Sequence, residues 1–445
     1  MAAGRPWGYP HRSCPGGPVL LLVSTLVSLL ACSGDGSKAP ADPTTPAPTT
    51  SPQPTTTPTP LPQPTTSTPP EPVSLRVATY NVSLYGVRSG QIADQLTDPS
   101  DPHAQGIAAV LQTVRPDVVL LNEVDVDDGT TAQRLHDQFL AVAQDGREPL
   151  DYPYVYVAPS NTGLHSGLDL DNNGRVDGSR EGSDDYAGDC FGYGTYGGQY
   201  GFLVFSRYPL GTPRTFQEFL WKDLPDADLP PGWFEPEELD IVRLSSKNHV
   251  DLPIDLGNGQ TLHFLISHPT PPSFDGEEDR NGRRNHDEIR FWADYISGEL
   301  GSYHIDDAGV GGSLAADQPF VIAGDLNADP NDGGSREGSM AQLLEHPRVQ
   351  ASPAPTSDGG AEQADLQGGI NRTHGTDPAE DTADFEDTSV GNLRIDYVLP
   401  STDVALHDAG VFWPLADDPD FDLVGTFPFP VSDHRPVWVD IEVSP

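Results

Sequence analysis

Asp433 and His434 stand side by side near the C-terminus, in Ser432-Asp433-His434-Arg435-Pro436, just before the alternating apolar residues Val437, Val439 and Ile441. A carboxylate is a hard oxygen ligand for Mg2+ or Mn2+, and an imidazole moves protons near neutral pH. Such a dipeptide also arises by chance, so its meaning depends on what stands upstream. Asn81 ends the alternating stretch 75–81. Glu123 sits just past the apolar run 118–121, and His268 just past Leu262, Phe264 and Ile266. Asp325 and Asn327, one residue apart, follow the run 320–323, and Asp396 alternates with Ile395 and Tyr397.

Phosphoester hydrolysis needs a cation for the phosphoryl oxygens, a base for water, and support for the leaving oxygen. Glu123 and Asp433 supply anionic ligands and Asn81 a neutral one. Asp325 and Asn327 can orient a water. Asp396 can fix the tautomer of His434, and His268 can donate to the phosphate or the leaving group. Taken singly, each residue has a plainer role. Glu123 could cap a helix, Gly324-Asp325-Leu326-Asn327 could be a turn, His268 a structural imidazole, and Asp396 an ion-pair partner of Arg394 or Arg435. It is the set that specifies chemistry.

These residues need strands to hold them. The stretches 75–81, 118–121, 201–205, 262–266, 320–323 and 393–397 read as strands. Ile107, Val110, Leu111 and Val114 mark a helix ended by Pro116, and Ile289, Trp292 and Ile296 mark another. Helix followed by buried strand is an α/β rhythm, and polar groups gathered at strand ends are where such folds build sites.

Six motifs, in order, are similar to those of the endonuclease/exonuclease/phosphatase (DNase I-like) superfamily: Ala78-Thr79-Tyr80-Asn81, Leu121-Asn122-Glu123-Val124, Ile266-Ser267-His268, Gly324-Asp325-Leu326-Asn327, Arg394-Ile395-Asp396-Tyr397-Val398 and Ser432-Asp433-His434-Arg435-Pro436. The resemblance spans about 74–443. It implies a four-layer α/β sandwich, with two mixed β-sheets packed face to face and flanked by helices. It also implies that Glu123 is the main ligand for Mg2+ or Mn2+, aided by Asn81 and Asp433. Asp325 and Asn327 would orient water and phosphate, His434 with Asp396 would be the general base, and His268 the general acid or oxyanion donor. His268 looks more like the DNase I, sphingomyelinase and inositol phosphatase branches than the abasic-site nucleases. Asn122 stands where many members have Gln.

An acidic, Gly-rich insertion occupies about 161–200. Its stretch 169–177 matches the first nine positions of an EF-hand-type loop, with Asp169, Asp171, Asn173 and Asp177 as ligands, but position twelve is Arg180. It is either a structural Ca2+ loop or a plain acidic turn. The insert is expected to roof the site and shape substrate choice. Lys247 and His249, and Arg283 and Arg284 in the densest basic patch of the chain, are candidate phosphate contacts; the alternatives are exposed polar residues and local ion pairs.

Arg5 and Arg12 precede the apolar run 19–30 and Leu29-Leu30-Ala31-Cys32, which resembles a lipoprotein signal peptide. Residues 1–32 are thus expected to be the signal, with Cys32 acylated as a membrane anchor; a plain secretion signal is the alternative. Residues 33–73 are expected to form a Pro/Thr-rich disordered linker and 74–445 the catalytic domain. Apart from Cys32 the exported chain keeps one cysteine, Cys190, so no intramolecular disulfide framework is expected in the domain. The net charge is −43, and losing Arg5 and Arg12 takes it to −45; lysine occurs only at 38, 222 and 247. Such a surface repels polyanions and lacks the basic stripe of a duplex-DNA binder. The expected protein is an exported, monomeric phosphoesterase, anchored at the cell surface or periplasmic side or secreted, with no protein partner. Its substrate would be a small phosphoester, a phospholipid head group or nucleic acid. The alternatives are an extracellular endonuclease acting on DNA or RNA, and a non-catalytic surface binding protein on the same fold.

Overall fold

Short runs of β-branched and aromatic residues set the architecture. In the computed structural model, residues 71–445 are described, apart from Asn258. The signal segment, the anchor Cys32 and linker residues 33–70 lie outside the described residues. One sheet has six strands: β1 (Val73–Leu84), β2 (Val118–Val124), β3 (Tyr154–Val157), β4 (Gly201–Ser206), β12 (Ala405–Val411) and β13 (Val437–Val443), in the order β12-β13-β1-β2-β4-β3. The other has five: β5 (Arg214–Thr215), β6 (His249–Gly257), β7 (Gln260–Ser267), β8 (Phe320–Asp325) and β11 (Asp396–Pro400), in the order β11-β8-β7-β6-β5. Each sheet holds one parallel pair, β1–β2 and β7–β8, among antiparallel ones. A two-stranded ribbon pairs β9 (Ala383–Asp384) with β10 (Asn392–Leu393).

The sheets pack face to face. Leu75, Val77, Val437 and Val439 from one meet Leu252, Phe264, Val321 and Val398 from the other in a single buried cluster. The opposite face of the first sheet buries Tyr80, Leu121 and Phe205 against Ile107, Val110 and Leu111 of the Pro102–Val114 helix. That helix starts with the Asp101 side chain accepting from Ala104 N–H, with Pro102 next, and stops at Arg115, ahead of Pro116. The outer face of the second sheet buries Leu265, Ile322 and Tyr397 against Ile289 and Trp292 of the Arg280–Tyr295 helix. The result is the expected four-layer α/β sandwich. Among the described residues no helix is long and apolar enough to cross a membrane.

One expected strand divides in two. Residues 393–397 alternate, yet β10 and β11 belong to different sheets. Between them Arg394 N–H donates to Asp329 Oδ2 (2.8 Å), and Ile395 and Asp396 N–H both donate to Thr382 Oγ1 (3.0 Å each). Side-chain acceptors there replace the ladder, which sequence alternation cannot reveal.

Candidate active site

Side chains alternate between the two faces of a strand, so each inward apolar row has a next position. Along β1 the row Leu75, Val77 continues to buried Asn81; along β8, Val321 and Ala323 lead to Asp325. The β7 row Leu262, Phe264, Ile266 leads to His268, and on β11 the inward neighbour of Val398 is Asp396. The inner layer therefore changes from apolar to polar at one end, with both sheets contributing.

Glu123 gets there differently. Val119, Leu121 and Val124 all lie in the outer cluster, so the alternation slips by one residue between Leu121 and Val124. The β2–β4 register breaks between Asn122 and Val124, and Glu123 has φ +56°. Such a bulge re-aims a side chain, and for a non-glycine residue this conformation costs about 1–2 kcal/mol. Asn122 stays behind it, donating to Thr79 Oγ1 at 2.9 Å.

The convergence is tight. Glu123, His268 and Asp325 each offer a ligand atom within 4.8 Å of the others, as do Asp325, Asp396 and His434. His434 Nδ1 is 2.8 Å from Asp396 Oδ2, and its Nε2 is 3.8 Å from Asp325 Oδ2. The Asn81 amide donates to Asp325 Oδ2 (3.0 Å) and lies 3.4 Å from His434 Nε2. His268 Nε2 is 3.5 Å from Asp325 Oδ2, and its buried Nδ1 has no hydrogen-bond partner among the described residues. Asn327, with φ +53°, donates its backbone N–H to Asp325 Oδ1 (3.0 Å) and its side-chain amide to Pro269 O (3.1 Å). Asp433 stands at the rim, about one third exposed, with Oδ1 4.0 Å from His434 Nε2.

The electrostatics follow from burial and neighbours. Burial pushes the Asp325 carboxyl up to about 7, against the lowering effect of His434. Burial opposes charge on His434, but Asp396 and Asp325 outweigh it and hold the ring well above the usual imidazole value. Burial, then Lys247 and His434, push His268 well below that value. Desolvation raises Glu123. These shifts make His434 the stronger base of the two imidazoles and His268 the weaker.

The sequence profile of the Endonuclease/Exonuclease/phosphatase family matches residues 78–434. The chain belongs to that family. Its members are generally hydrolases of phosphate esters and depend on divalent metals, and the Glu123–His268–Asp325 group is a candidate metal cluster here. Among solved structures, the chain is similar to an endonuclease/exonuclease/phosphatase from Beutenbergia cavernae DSM 12333 (19% identity, 83% of this chain and 72% of that one, TM-score 0.46). It is also similar to an endonuclease/exonuclease/phosphatase family protein from Leptotrichia buccalis C-1013-b (14%, 82% and 98%, TM-score 0.42) and to sphingomyelinase C from Streptomyces griseocarneus (16%, 84% and 100%, TM-score 0.39). No curated protein matches the chain.

In this endonuclease/exonuclease/phosphatase family member, the four candidate phosphate contacts separate. Lys247 is buried in the site, where Glu288, Glu123 and Asp325 offset part of the burial that lowers its ammonium's affinity for a proton. The other three are engaged elsewhere. His249 has both ring nitrogens engaged inside the core, one with the Ser245 hydroxyl and one with Glu288 O at 2.8 Å. Arg283 is paired with Asp228, and Arg284 donates to the carbonyls of Leu244, Phe191 and Arg243. The basic patch is the half-buried start of a helix.

The acidic loop also differs from its expected ligand set. Asp169 and Asp171 converge with Asp189, and Asp177 is not in that group. The Asn173 amide donates to Asp171 Oδ2 (2.9 Å), while Asp177 Oδ1 accepts from the Ser179 hydroxyl (2.6 Å).

Two supporting residues were missed. Thr382 donates to Asp396 Oδ2 at 2.9 Å, holding the carboxylate that holds His434. Buried Glu288 accepts from Ser246 N–H (2.7 Å) and Thr270 N–H (2.6 Å), clamping the loops that carry Lys247 and His268. Glu288 had a signal: it lies four residues before Trp292 on the apolar face of its helix. Thr382 had none.

Proposed function

We propose that the protein is an exported phosphoesterase, dependent on Mg2+ or Mn2+, that acts on small phosphoesters or phospholipid head groups through attack by an activated water. The observation that carries this is the chain Asp396–His434–Asp325 beside Glu123 and Asn81, assembled from both sheets at one end of the core.

The donor set fits a hard cation: the Glu123 and Asp325 carboxylates each place an oxygen within 4.8 Å of the other, beside the neutral amide of Asn81. Glu123, with Asn81 and Asp433 at the rim, would hold it, and Asp325 lies within the same reach. Bound there, a divalent cation supplies charge neutralisation to the phosphoryl oxygens. His434 takes the proton of the attacking water at Nε2, while Nδ1 stays fixed on Asp396; both carboxylates stabilise the imidazolium. Asp325 and Asn327 orient the water and phosphate. His268, kept neutral, donates one N–H to a phosphoryl or leaving oxygen, which favours oxyanion donor over general acid. An anchor at Cys32 would keep this chemistry at a membrane surface.

Charge supports a small substrate over duplex nucleic acid. The chain is at −43, and the two arginines expected to contact phosphate are engaged, Arg283 by Asp228 and Arg284 by backbone carbonyls. The test is a panel of phosphomonoesters, phosphocholine lipids, inositol phosphates and plasmid DNA, each with Mg2+ or Mn2+. Turnover of a small ester or lipid with slow plasmid nicking is expected. Plasmid nicking faster than every small ester would replace this reading with the nuclease, and no turnover of any would leave the binding-protein alternative.

A further inference from the structure

The insert carries a second group of carboxylates, remote in sequence from the hydrolytic residues. Asp169, Asp171 and Asp189 each place an oxygen within 4.8 Å of the other two. Asp189 is fully buried: Oδ1 accepts Leu170 N–H at 3.0 Å, while buried Oδ2 has no hydrogen-bond partner among the described residues. A buried carboxylate oxygen is costly unless something cationic or a donor meets it. The insert's arginines are committed elsewhere, Arg175 and Arg180 both to Asp185 at 2.9 and 3.3 Å. His165 Nε2, itself buried and without a hydrogen-bond partner among the described residues, stands 3.9 Å from Asp189 Oδ2, beyond hydrogen-bond reach. A Cβ at Gly188 would come within 2.1 Å of Asp171 Oδ2, so bare backbone closes that side of the group.

We propose that Asp169, Asp171 and Asp189 bind one calcium ion that fastens the insert. Oxygens sharing one Ca2+ at 2.3–2.6 Å are separated by at most about 5 Å, which this group satisfies. The loop favours Ca2+ over Mg2+, because Ca2+ accepts 6–8 oxygens in flexible geometry while Mg2+ demands a near-octahedral shell. Asp189 replaces the usual later loop position, since Arg180 stands at position twelve.

The consequence reaches the hydrolytic cleft. Among the insert's contacts with the cleft side are Gln199 to Gly86 O (2.8 Å), Gly198 O to Val126 N–H (2.9 Å) and Asn161 N–H to Lys247 O (2.9 Å). Those segments follow Asn81 and Glu123 and carry Lys247. An ion at Asp189 therefore braces one wall of the cleft without touching its reacting groups.

Calorimetric titration of the chelator-stripped full chain with CaCl2 tests this, using Glu123→Gln to silence the strand-end cluster. Glu123→Gln should bind one Ca2+ and melt at a higher temperature with it. Adding Asp189→Asn should weaken that binding at least tenfold and abolish the shift in melting. Asp171→Asn, at a less buried position, should do the same if Asp189→Asn fails to fold. The proposal falls if Glu123→Gln binds no Ca2+, if either aspartate variant binds it unchanged, or if equimolar MgCl2 displaces it.

Discussion

The two carboxylate groups are built on opposite principles. At the strand ends, Glu123, Asp325 and Asp396 are interleaved with His434, His268 and Lys247, and each is fixed by a strand, a bulge or the turn that follows. In the insert, Asp169, Asp171 and Asp189 sit on turns beside a five-residue helix, with one imidazole nearby at 3.9 Å. The first group carries its own counter-charges and can shuttle a proton. The second is nearly all acid and can do little besides hold a cation. Proximity of acids is common to both; what separates catalytic from structural chemistry is a basic group whose proton the acids control.

Removing charge should therefore have unequal effects. Asp325→Asn and His434→Ala are expected to lower kcat on the order of 10³-fold while circular dichroism stays unchanged. Turnover within tenfold of the parent would erase the distinction between the groups.

A smaller effect compares two buried imidazoles. His434 sits beside carboxylates that raise its affinity for a proton; His249 sits among neutral partners and is pushed down to about 3 by burial. The unfolded chain takes up a proton on His249 below pH 6.5, but the folded one refuses it until about pH 3. Its contribution to stability is thus lost progressively as pH falls through that window. Between pH 7 and 5 the loss is about 2 kcal/mol. The stability difference between parent and His249→Gln, measured by urea unfolding, should shift against the parent by that amount. A pH-independent difference would mean that burial is not controlling the ring.

The smallest effect concerns the join between the two regions. The Tyr196 hydroxyl of the insert is 2.7 Å from Asp125 Oδ2, two residues after Glu123. Tyr196→Phe should cost about 1 kcal/mol in urea unfolding. An unchanged midpoint would show that the insert is held without this bond.

Much of the strand-end group was legible because period two is rigid. Once Val321 and Ala323 face inward, Asp325 must follow, and the same holds for Ile266 and His268. The bulge was not legible: Glu123 was placed past a strand end, whereas it leaves the outer row through a left-handed backbone. Nor could sequence show that Thr382 takes two backbone donors and divides the 393–397 strand, or that Arg284 spends its guanidinium on carbonyls. Those outcomes depend on neighbours dozens of residues away. Asp189 was missed for the same reason: the loop motif ended at Asp177, and the buried acid comes from beyond the next short helix.

The central claim is that the strand-end group hydrolyses phosphate esters with a divalent cation held through Glu123. The most direct measurement is steady-state hydrolysis of a chromogenic phosphodiester by the full chain, stripped with EDTA and then titrated with MgCl2 or MnCl2. Turnover should vanish on stripping, return with either cation, and fail to return in Glu123→Gln at the same concentrations. Turnover that persists in EDTA, or a Glu123→Gln titration matching the parent, would contradict it.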